Sequence, residues 1–65
     1  MDLVIIDGSA EVRRFPQYTG HVPRRKEQVA IQMHDNYVYT YDVKSVRTNL
    51  ALKQIEVNVE YAHSR

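Results

Sequence analysis

Two apolar-alternating runs separated by His34-Asp35-Asn36 constrain this chain more than any other feature. They fill the stretch from Glu27 to Val43, EQVAIQMHDNYVYTYDV, and such alternation broken by turn formers is the mark of a β-hairpin. Loop length then decides which side chains share a face. A two-residue loop at Asp35-Asn36 sets Met33 opposite Val38 and Ile31 opposite Thr40, which mixes both faces. A three-residue loop sets Met33 opposite Tyr37, Ile31 opposite Tyr39 and Val29 opposite Tyr41. All six large side chains then lie together, while Gln28, Ala30, Gln32, Val38, Thr40 and Asp42 take the other face. Because a one-residue slip turns over a strand's whole apolar set, the three-residue loop is expected. Asn36 suits the left-handed backbone that such a loop requires. On this register Tyr37, Tyr39 and Tyr41 belong to the core.

Around the hairpin the chain reads as further strands. Leu3-Val4-Ile5-Ile6 is a β-rich apolar run, and the Asp7-Gly8 that follows is a strong turn signal. With those two residues as the loop, Ile5 faces Ala10, Leu3 faces Val12, and Asp2 faces Arg13 as a cross-strand charge pair. The second strand runs from about Ser9 to Phe15 and ends at Pro16, which lacks a ladder donor. Residues 16–26, PQYTGHVPRRK, hold both prolines and Gly20. They read as an ordered loop with Phe15, Tyr18 and Val22 as anchors onto the core. In residues 44–53, KSVRTNLALK, Ser45 is a candidate cap with Val46 and Leu50 at i and i+4. That spacing predicts one helical turn, with a turn or an extra strand as the alternatives. Finally, Ile55, Val57, Val59 and Tyr61 alternate with Gln54, Glu56, Asn58 and Glu60, the pattern of a strand with one wet face. Residues 62–65 are expected to fray. The expected fold is mainly β and a single domain over residues 1–65. It is a small five-stranded antiparallel sheet or an SH3-like barrel, with at most one short helical turn between strands four and five.

Several chemistries find no support in the residues. The chain has no cysteine, so neither a disulfide nor a thiolate zinc site is available, which fits a reducing, cytoplasmic setting. His21, His34 and His63 fall in the long loop, the hairpin loop and the tail, without ligand spacing, so no metal or other cofactor is expected. Ser9 adjoins a turn, Ser45 is a cap and Ser64 lies in the tail; no nucleophile, base and orienting acid come together, and an enzyme is not expected. Asp7-Gly8-Ser9 lacks the glycine run and the lysine of a phosphate loop. No apolar run reaches the roughly 20 residues of a membrane span, and no signal-peptide pattern is present.

What remains is the distribution of charge. Net charge is only +1, yet residues 13–26 hold Arg13, Arg14, Arg24, Arg25 and Lys26 with no acid among them. The rest of the chain holds four basic residues against eight acidic ones. A basic loop on an acidic body is suited to an acidic protein surface, because arginine pairs carboxylates bidentately and segregated charge steers encounter. Arg13, Arg14, Tyr18, Arg24, Arg25 and Lys26 are therefore the candidate partner-binding residues. The N-terminal strand Leu3–Ile6, if left at an edge, offers a second route by adding to a partner's sheet. Direct DNA or RNA binding by the same basic loop is the first alternative, although no recognition helix or aromatic–glycine RNA motif accompanies it. A small structural or assembly subunit is the second. The chain itself is expected to be a monomer or a weak homo-oligomer.

Taken whole, the chain resembles the small single-domain regulators that bacteriophages encode to take over host machinery. It is similar in size and character to the phage proteins that bind bacterial RNA polymerase as inhibitors or antiterminators. The resemblance implies a non-catalytic binder in the host cytoplasm whose target is a large host protein complex.

Overall fold

The chain folds as strands throughout its regular elements, including most of the segment whose spacing predicts a helical turn. The computed structural model describes residues 1–62. They form β1 (Asp2–Asp7), β2 (Ala10–Phe15), β3 (Gln28–Gln32), β4 (Val38–Asn49) and β5 (Gln54–Tyr61). The strands make one sheet in the order β2-β1-β5-β4-β3, curled into a half-barrel. The mainly β expectation holds. The sheet is mixed rather than purely antiparallel, because β1 and β5 run parallel, with Leu3 beside Ile55 and Ile5 beside Val57. This places β1 inside the sheet rather than at an edge, which removes Leu3–Ile6 as a strand-addition site. Leu3, Val4 and Ile5 are all buried. A continuous apolar run fits a strand covered on both faces, and alternation alone does not distinguish that case. Strands β2 and β3 remain unpaired edges, so the closed SH3-like barrel is replaced by an open one.

The central hairpin has the expected register. Val29 faces Tyr41, Ile31 faces Tyr39, and Met33 donates its N–H to the Tyr37 carbonyl at 2.9 Å. Asn36 takes the left-handed conformation at φ 68°. The Asp35 carboxylate braces the loop by accepting the Tyr39 hydroxyl at 2.7 Å and the Tyr37 N–H at 3.0 Å. Burial fades toward the loop, however. Tyr41 is 5% exposed and Tyr39 half-buried, but Tyr37 is 71% exposed and lies outside the core. The reason is length: β5 ends at Tyr61, opposite Tyr41, and supplies no strand beside Tyr37. The Tyr61 ring covers both Tyr39 and Tyr41, at centroid distances of 5.9 and 5.7 Å.

Two β-bulges account for the other departures. In the first hairpin the turn is Gly8-Ser9 and not the expected Asp7-Gly8, so Asp7, not Ile5, lies opposite Ala10. Only Gly8 there has positive φ, which fits the glycine-first two-residue turn. An extra residue at Val12 then restores the apolar register, so that Phe15 faces Leu3 and Arg13 faces Ile5. Asp2 consequently pairs with Arg14 and not with Arg13. In β4 the register shifts at Lys44: Val43 faces Val59, Ser45 faces Asn58 and Val46 faces Val57. The strand therefore continues to Asn49 in place of the helical turn that the spacing predicts, and Ser45 caps nothing. Ala62, expected to fray, donates its N–H to the Thr40 carbonyl at 3.0 Å; residues 63–65 lie outside the described residues.

The concave face holds the core. Leu3, Ile5, Ile31, Tyr41, Val43, Val57 and Val59 pack there, flanked by Phe15, Tyr18, Val22 and Val29. The connection between β2 and β3 crosses the open side. Tyr18 packs on Phe15 at 6.0 Å and donates its hydroxyl to the His21 carbonyl at 2.6 Å, and its backbone N–H bonds the Met1 carbonyl. Gly20 lies under that ring, where a Cβ would come within 2.7 Å of the Tyr18 hydroxyl. This loop is ordered because it is part of the core cover.

Candidate partner-binding surface

A charged side chain is available to a partner only if the fold has not already used it. The convex face of the sheet uses a great deal. Across four strands runs a row of Arg14 on β2, Val4 on β1, Glu56 on β5 and Arg47 on β4, set by the strand registers. Glu56 is only 6% exposed, and Gln54 beside it 8%, so the face expected to be wet is shaded at this end. The Glu56 carboxylate accepts from Gln54 at 2.8 Å, Asn49 at 3.0 Å, and Arg47 through both Nη2 at 2.6 Å and Nε at 2.9 Å. Those donors, Gln54 foremost, hold its carboxyl far below the ordinary value, at about 2. Arg14 bonds Asp2 at 2.9 Å and Glu11 at 3.0 Å. The Asp2 carboxyl is held low first by the Gln17 N–H and then by Arg14. Among the described residues no buried side-chain polar atom lacks a partner.

Arg24, Arg25 and Lys26 contrast with this. All three are exposed, and among the described residues none forms an ion pair. They occupy a tight turn closed by the Glu27 N–H donating to the Arg24 carbonyl at 3.0 Å. The Glu27 carboxylate ties the turn from below, accepting the Arg24 N–H at 2.8 Å and meeting His21 Nε2 at 3.1 Å. The Arg24 N–H, followed by His21, holds the Glu27 carboxyl below its usual range. Lys26 takes positive φ, 77°, and donates its N–H to the Val43 carbonyl, while Val43 donates back to the Glu27 carbonyl at 2.8 Å. The basic turn is thus fastened to β4 beside the Lys44 bulge. Shallow depressions flank it, one formed with Val22, Pro23, Ser45 and Val46, the other with Asp42, Val43 and Lys44.

The six candidate residues therefore separate. Arg24, Arg25 and Lys26 come together as an exposed cationic turn. Arg14 is neutralised on the convex face. Arg13 lies over the Phe15 ring at 5.4 Å and donates to the Gln32 carbonyl at 2.9 Å, spanning the gap between the two sheet edges. Tyr18 serves the core cover. Sequence reasoning missed Lys44 and Val46 as neighbours of the turn, because a helical reading of residues 44–53 points them elsewhere. Leu50 and Leu52 on the β4–β5 turn are also strongly exposed, at 72% and 66%. Comparison with known proteins finds no matching family model, no similar curated protein and no matching solved structure.

Proposed function

We propose that this chain is a non-catalytic regulator that binds a protein partner through the Arg24-Arg25-Lys26 turn, with bacterial RNA polymerase as the first target to test. One observation carries the reading: among the described residues, three consecutive cations stand exposed and without an ion pair on a turn fastened to the sheet, while Arg13, Arg14, Lys44 and Arg47 are bound within the fold. A fixed cationic turn over shallow, partly apolar depressions suits a carboxylate-bearing protein surface. Tyr18, the aromatic nearest the turn in sequence, has its ring packed on Phe15 and its hydroxyl bonded to His21, which favours protein over single-stranded nucleic acid.

The test immobilises bacterial RNA polymerase, a DNA duplex and a single-stranded RNA, and measures binding of the wild type and of Arg24→Glu/Arg25→Glu/Lys26→Glu. Each exposed substitution costs within about 0.5 kcal/mol of stability, so the variant stays folded. The wild type binds polymerase, its affinity weakens as salt rises, and the variant loses affinity chiefly through slower association. Tighter binding to DNA or RNA than to polymerase, lost in the variant, replaces this reading with the nucleic-acid one.

A further inference from the structure

The two edges of the half-barrel are not equivalent. Strand β2 carries Glu11, Arg13 and Arg14 and a bulge, all devices that discourage edge-to-edge pairing. Strand β3, Gln28-Val29-Ala30-Ile31-Gln32, has no charge, no proline and no bulge within it. Its backbone orientation follows from its bonds to β4. The Glu27 carbonyl accepts the Val43 N–H and the Met33 N–H donates to the Tyr37 carbonyl, and positions that face β4 in this way recur every second residue. Gln28, Ala30 and Gln32 therefore direct their N–H and C=O groups away from β4. Arg13 reaching the Gln32 carbonyl from β2, and Thr40 opposite Ala30 turning its carbonyl to Ala62, agree with that orientation. A groove of about 360 Å³, with Leu3, Ile5, Phe15, Val29 and Ile31 in its walls, runs along this edge.

We propose that this edge recognises a second copy of itself, the two β3 strands pairing antiparallel about Ala30. The strand reads nearly the same in both directions, Q-V-A-I-Q, which is what a two-fold, self-complementary contact requires. Centred on Ala30, the pairing sets Gln28 opposite Gln32 of the second copy and Val29 opposite its Ile31. Gln28 and Ala30 supply hydrogen-bonded positions, and Gln32 supplies the third as Arg13 swings off its carbonyl. The aliphatic pairs fall at the closely spaced positions on the core side, next to the groove. The inference is independent of the basic turn, whose residues take no part in the pairing.

Sedimentation equilibrium over a concentration series tests it on three proteins. The wild type shifts reversibly from 7.6 kDa toward twice that mass as concentration rises. Gln28→Lys/Gln32→Lys sets lysines against each other twice per dimer and weakens association about tenfold or more. Gln28→Lys/Gln32→Glu sets two Lys–Glu pairs in the same places and dimerises at least as well as the wild type. Both variants share the Gln28→Lys change, so its effect on Asp42, the present partner of Gln28, is the same in each and cancels from the comparison. A wild type that stays at the monomer mass at every concentration overturns the proposal, and so do two variants that associate alike.

Discussion

Glu56 shows how much the surroundings of a single carboxylate decide. Its polar row reads as solvent-facing in the sequence, yet Gln54, Asn49 and Arg47 bond it and leave it 6% exposed, and Val4, between Arg14 and Glu56 in the same row, is 1% exposed. Alternation marks a side as polar but does not say whether long neighbours shade it. A carboxyl whose folded pKa lies below its unfolded value stabilises the fold fully above the unfolded value and loses that contribution as pH falls. For Glu56 the loss runs from about 4.5 down to about 2. Glu56→Gln is therefore expected to be less stable at neutral pH and to show a flatter stability profile through that window, measured by denaturant titration at several pH values. An unchanged profile would mean that the network contributes nothing. The tyrosines give a second comparison. Tyr41→Ala, at 5% exposure, should cost about 3–5 kcal/mol, whereas Tyr37→Ala should stay within about 0.5 kcal/mol. Equal losses in denaturant titration would contradict the burial gradient along the hairpin.

At the scale of elements, the legible parts are those with unbroken alternation. The β3–β4 loop and register follow from the requirement that Ile31, Tyr39 and Tyr41 share a face, and β5 follows from Ile55 to Tyr61. The bulges hide the rest. Val46 and Leu50 are spaced four apart, which imitates a helix, but Leu50 lies past the end of β4 on the turn to β5, and the extra residue at Lys44 breaks the alternation from Val43 into Val46. In the same way Val12 conceals the pairing of Phe15 with Leu3. Deleting Lys44 tests this directly. Val46 and Arg47 would exchange faces, taking Arg47 away from Glu56, and the variant should melt well below the wild type or lose its cooperative transition. A deletion that melts like the wild type would show that the bulge is dispensable. The parallel placement of β1 against β5 is a tertiary choice with no local signal beyond the uninterrupted Leu3-Val4-Ile5.

For the whole molecule, size sets the terms. A chain of 65 residues has about 3–10 kcal/mol of stability, so a fold this small gains from pairing its charges internally wherever it can. The uneven charge between residues 13 and 26 is legible in the sequence. Which of its five cations the fold consumes is not, because Asp2 and Glu11 reach Arg14, and Gln32 reaches Arg13, only through sheet geometry. On the proposed function, position and not total charge makes the Arg24-Arg25-Lys26 turn the binding surface. Two variants with the same change in net charge separate these ideas: Arg24→Gln/Arg25→Gln/Lys26→Gln, and Ser9→Glu/Thr19→Glu/Ala51→Glu at exposed sites elsewhere. The most direct measurement is the affinity of both for immobilised bacterial RNA polymerase beside the wild type at one salt concentration. The wild type is expected to bind, the glutamate set to stay close to it, and the glutamine set to lose about tenfold or more, from three charge-assisted contacts of about 0.5–1 kcal/mol each. No binding by the wild type, or equal losses in the two variants, would contradict the proposal.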